Sequence, residues 1–79
     1  MATLLYVGSH AVEDPTRAGL VFVAANGAKE AGHTPLIALV GDAVLLMKEA
    51  IAASTVPVGW PAVKELMATS ISHGIPLHV

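Results

Sequence analysis

The sequence predicts a small α/β domain built on a parallel sheet, and three observations carry that expectation. Two apolar runs, residues 3–7 and 36–40, show no polar alternation, as expected of strands buried on both faces. Between them lies a helical stretch opened by Asp14-Pro15 and closed at Gly32. A glycine stop followed by a proline occurs twice, at Ala31-Gly32-His33-Thr34-Pro35 and at Ser72-His73-Gly74-Ile75-Pro76. Strands that alternate with helices in this way imply right-handed crossovers between parallel neighbours.

Taken in order, the first strand spans residues 3–8 and ends in Gly8-Ser9. The first helix covers 15–31: Asp14 is placed to accept backbone N–H groups as N-cap, and Pro15 suits the first helical position. Gly32 supplies the left-handed residue after its end. Leu20, Val21, Ala24, Ala28 and Ala31 form a stripe assigned to the sheet. Phe22 and Val23 then fall on the opposite side among Asn26, Lys29 and Glu30, which marks them as a subunit contact. Pro35 opens the second strand, 35–40, at a position where no ladder donor is required. Gly41-Asp42 ends it, with Asp42 as cap of a second helix over 43–53 that turns Val44, Met47 and Ile51 inward. Pro57 makes 55–59 an edge strand or a loop. The third helix covers 61–73 with Val63, Leu66, Met67 and Ile71 inward, and a last strand covers 75–79.

Composition narrows the function. Seventy-nine residues make a single domain, 1–79, with a thin stability margin. There is no cysteine, so disulfides, thiolate zinc sites and thiol chemistry are excluded within these residues. Only 13% of residues are charged, which leaves little surface to keep a monomer soluble and points to an oligomer. The four basic residues stand singly in a chain of net charge −2, so no patch exists to neutralise a nucleic-acid backbone. The longest uncharged stretch is too short for a bilayer, and no basic leader precedes the first strand. The cytoplasm is the default compartment.

In open parallel sheets ligands bind beyond the carboxyl ends of the strands. Gly8, Ser9 and His10 follow the first strand there, Gly41 and Asp42 follow the second, and Arg17 lies in the first turn of helix one. These six residues form the expected pocket, and helix starts at that edge favour an anion. Ser9 has no nucleophile-elbow setting, so no catalytic residue is assigned. The four histidines are split between opposite edges and the last strand, which rules out a shared metal site. No phosphate-loop, dinucleotide or zincin motif occurs, and no cofactor is expected.

The opening Leu4-Leu5-Tyr6-Val7 with Glu13-Asp14-Pro15, the helix end Ala31-Gly32-His33 and Leu39-Val40-Gly41-Asp42-Ala43-Val44-Leu45-Leu46 resemble the DsrE/DsrF-like sulfur-relay family. Lys64-Glu65-Leu66 and Gly74-Ile75-Pro76-Leu77-His78-Val79 extend the resemblance over nearly the whole chain. It implies a flavodoxin-like fold, cytoplasmic homo- or hetero-oligomers, sulfur-carrier protein partners and persulfide transfer between cysteines. In that family the carrier cysteine follows the strand that here reaches Val79, and a further helix and strand come after it. The resemblance therefore implies a Cys or selenocysteine at position 80, and Gly8, Ser9, Gly41 and Asp42 as pocket neighbours only. The alternative expectation is a non-catalytic oligomeric subunit, or a module binding a small anion or nucleotide.

Overall fold

The computed structural model describes residues 2–79. β1 (Thr3–Gly8), β2 (Thr34–Leu39) and β3 (Leu77–His78) form a parallel sheet in the order β1-β2-β3. Leu4, Tyr6 and Gly8 lie beside Pro35, Ile37 and Leu39, and Leu77 continues that row beside Ile37. The short β3 explains how Pro35 is tolerated in the central strand. The Ile37 N–H, two residues on, bonds the Pro76 carbonyl at 3.0 Å, so the donor Pro35 lacks would point where β3 has not begun.

Helix α1 (Pro15–Glu30) starts as its sequence dictates: the Asp14 side chain accepts from the Arg17 N–H, and Pro15 fills the first turn. Its end is a double clasp, with Gly32 at φ +90 and the His33 N–H bonded to the Ala28 carbonyl at 2.9 Å. The end of α3 (Val63–Ser72) repeats this, with Gly74 at φ +74 and the Ile75 N–H bonded to Ser70.

Both connections step in the same direction along the sheet, and right-handed crossovers then set their helices on one face. α1 and α3 do pack against each other. The face carrying Leu5, Val7, Leu36 and Ala38 is left without a helical layer, and Leu5 and Val7 are 61% and 57% exposed. This corrects the expectation of strands buried on both sides.

The facing of helix one is corrected as well. Phe22, 0% exposed, is the largest buried side chain, surrounded in sequence by buried Ala18, Val21, Ala25 and Asn26. Leu20, Ala24 and Ala31 lie on the surface instead. Phe22 is core, not a subunit contact. The cause is Asn26, which is buried between helices. Its amide donates to the Leu66 carbonyl at 3.3 Å, and the Ser70 hydroxyl donates to its oxygen at 2.7 Å. Ser70 thus replaces Ile71 on the inner face of α3, and Ile71 is 62% exposed.

The second helix is split. Residues Gly41–Met47 form a 3₁₀ segment, Lys48 is extended, and α2 covers only Glu49–Ser54. A 3₁₀ turn aligns every third residue, so Ala43 and Leu46 are buried while Val44 and Met47 face outward. Ala52 is buried and Ile51 partly so. Asp42 makes no capping bond, because the segment is opened by Val40 and has no side-chain cap. Residues 55–59 form a loop, and the last strand shortens to Leu77–His78.

That loop is pinned to α1 at Gly19. A methyl group added there would overlap the Pro57 ring and come within 3.4 Å of Leu66 Cδ1. Gly27, on the same helix, has nothing within 4 Å. Alanine improves helix propensity by about 1 kcal/mol over glycine, whereas overpacking costs about 1–3 kcal/mol. Gly27→Ala should therefore raise the urea midpoint and Gly19→Ala lower it. The same sign at both sites would contradict the seating of Pro57.

Candidate functional site

Among the described residues, a pocket lies at the sheet's carboxyl edge, between the end of β1 and the outer side of α1. Tyr6, Val7, Gly8, Ser9, His10, Arg17, Leu20, Val21 and Ala24 line an open volume of about 300 Å³. Gly8 permits the close approach that builds its floor. A Cβ there would stand 3.2 Å from Val21 Cγ1 and 3.3 Å from Leu39 Cδ2.

The loop from β1 to α1 is ordered by two carboxylates. Glu13 Oε1 accepts from the Ala11 N–H at 2.6 Å, and its Oε2 lies 2.9 Å from His10 Nδ1. A carboxylate only accepts, so the His10 proton sits on Nδ1 and donates to Glu13. Asp14 holds Arg17 twice, through its N–H at 3.2 Å and through Nε at 3.4 Å. The Ala11 N–H chiefly, and then His10, hold the Glu13 carboxyl below its ordinary value of 4.5. A depressed carboxyl adds stability above its unfolded value, and that contribution is lost as pH falls through the lower folded value. On acid titration the Ala11 amide resonance should move with the Glu13 carboxyl, while the α1–α3 interface stays intact. An Ala11 amide indifferent to that titration would contradict the bond.

Of the six residues expected at the site, Gly8, Ser9, His10 and Arg17 are brought together. Gly41 and Asp42 do not line the pocket, although the Val40 N–H bonds the Gly8 carbonyl at 2.9 Å and the two chains leave the sheet side by side. Gly41 takes φ +55 as the turn into the 3₁₀ segment, and Asp42 is exposed. Sequence reasoning missed Glu13 as a site residue. The signal was present as a His and a Glu three positions apart, immediately before Asp14-Pro15. It also sent Leu20 and Ala24 to the sheet, but they instead wall the pocket beside Val21, which does pack on the sheet at Gly8.

The other histidines lie elsewhere. His33 Nδ1 accepts from the Ala2 N–H at 3.1 Å at the opposite edge, His73 ends α3, and His78 pairs with Ala38 in the sheet. No cluster of three metal-ligating side chains occurs among the described residues. A second groove, of about 170 Å³, runs between Leu46, Met47 and Ala52 and the Met67–Ile71 side of α3. Lys64 bridges it to Glu49 at 2.6 Å, and that contact holds the Glu49 carboxyl below its ordinary value.

No helix among the described residues is long and apolar enough to cross a membrane. The fold and site together define an α/β domain with a three-stranded, all-parallel sheet, flanking helices and a pocket at one strand end. No family model, curated protein or solved structure matches the chain.

Proposed function

We propose that this is a sulfur-relay domain of the DsrE/DsrF-like type, whose carrier is a cysteine or selenocysteine immediately beyond Val79. The observation that supports it is the common edge at which all three parallel strands end. The register pairs Ala38 with His78, so residue 80 would stand beside Val40. It would be two strands, roughly 10 Å, from the end of β1. A thiolate or selenolate there is the nucleophile that accepts a sulfane sulfur and passes it to a partner protein. The strand order β1-β2-β3 differs from the flavodoxin order 2-1-3-4-5. What supports the family reading is the parallel sheet with its helical layer and the segments that resemble the family, not the order of strands.

Association belongs to the same reading, now on different grounds. Phe22 is core, but all-parallel sheets normally have both faces covered, and the Leu5, Val7 face is bare. A monomeric mass at tens of micromolar would remove the oligomer from the proposal. The test of the relay is persulfide transfer from a labelled donor by the protein carrying residue 80. Label is expected on that residue, should be released by a thiol reductant and should be absent when the residue is alkylated before the donor is added, and the chain cut at Val79 should carry none. Equal transfer by the two forms would refute the assignment. A non-catalytic binding module is the second reading, favoured by the walled pocket of His10 and Arg17.

A further inference from the structure

The geometry points to the β1–α1 pocket as a site for a small organic anion, a short apolar body bearing one carboxylate, whose binding loads a proton onto His10. It is independent of the relay reading, since it needs no thiol and no residue beyond Val79.

The start of α1 does not hold the anion, because Asp14 already occupies the N-cap and accepts from the Arg17 N–H. Side chains must do so. Glu13 fixes Nδ1 of His10 as the protonated nitrogen, which leaves Nε2 without a partner among the described residues. Arg17 spends only its Nε on Asp14, at 3.4 Å, and keeps its terminal nitrogens. The titratable groups around this end are Glu13 and Asp14 from the loop, Arg17 from α1 and Tyr6 from β1. With His10 neutral, two carboxylates face one guanidinium, and no positive surplus awaits an anion. Protonation of Nε2 restores the balance and supplies a charged donor. The anion therefore arrives with a proton.

The walls choose the rest of the ligand. Leu20, Val21 and Ala24 are apolar, and the volume of about 300 Å³ lies at the small end of ligand sites. Each methylene buried there should raise affinity about fourfold. A free inorganic anion gains nothing from those walls. Glu13 acts as a positioning residue, holding the ring in one tautomer and orientation.

The test is titration of the purified protein at pH 8, where free imidazoles are neutral, with hexanoate, hexanol and inorganic phosphate. Amide shifts should cluster at residues 8–11 and 17–24 with hexanoate, and calorimetry in buffers of different ionisation enthalpy should show net proton uptake. His10→Gln should abolish that uptake and weaken hexanoate about tenfold, the worth of one charge-assisted bond. Glu13→Gln should reduce uptake, Glu13→Asp should partly restore it, and Arg17→Gln should weaken binding while uptake persists. Wild-type protein alone already decides the matter: hexanoate bound without proton uptake, no hexanoate binding, or phosphate bound as tightly would each overturn the proposal.

Discussion

Replacing Phe22 with alanine should remove a large share of the domain's stability. The ring is fully buried between α1 and the sheet, in a core that includes Ala18, Ile37 and Val63. Phe→Ala in a core costs about 3–5 kcal/mol. A domain of this length has a total stability of roughly 4–12 kcal/mol. Urea unfolding should therefore show a steep fall in midpoint, or no cooperative transition at all. Were Phe22 on the surface, the same change would stay within about 0.5 kcal/mol. A loss below about 1 kcal/mol would mean that α1 is rotated from the position described.

The second large effect is at the polar clasp between α1 and α3. Asn26→Ala removes two buried hydrogen bonds, although the single Ser70 hydroxyl proton then turns to the Leu66 carbonyl, 3.2 Å away. Ser70→Ala instead strands the Asn26 oxygen in the interior, the costlier way to break a pair. Each should cost about 1–3 kcal/mol, and the double mutant should cost less than the sum of the two in a double-mutant cycle. Additive losses would show that the two side chains do not meet.

That clasp also explains what the sequence conceals. The ends of the helices were legible because their chemistry is local: Asp14-Pro15 starts one helix, and Gly32 and Gly74 end two. The parallel strands were legible from their unbroken apolar runs. The facing of helix one was not, since nearly every residue on it is small or apolar and its few polar groups decide the stripe. Asn26 was assigned to water, and Phe22, one turn earlier, went with it. Its true partners, Leu66 and Ser70, are 40 and 44 residues away. The break at Lys48 was hidden for a related reason, because residues 43–53 carry no glycine or proline to announce a change from 3₁₀ to α geometry.

At the site, His10 was found by its position at a strand end and Arg17 by its place in the first turn of helix one, whereas Asp42 was included because Gly41-Asp42 looks like a helix start. Sheet order decides the matter. The pocket opens on the α1 side of β1, and the turn after β2 contributes its backbone to the neighbouring strand end but no side chain to the pocket. Glu13 escaped notice because its role is to hold another residue.

The relay assignment turns on a single residue, and mass spectrometry of the protein from its native source reads it directly. Lys64 is the last tryptic site among the 79 residues. The peptide that begins at Glu65 should run past Val79 with cysteine or selenocysteine at position 80, alkylated by iodoacetamide and shifted by one sulfur after donor treatment. A native peptide ending at Val79, or continuing with any other residue at position 80, would contradict the sulfur-relay account.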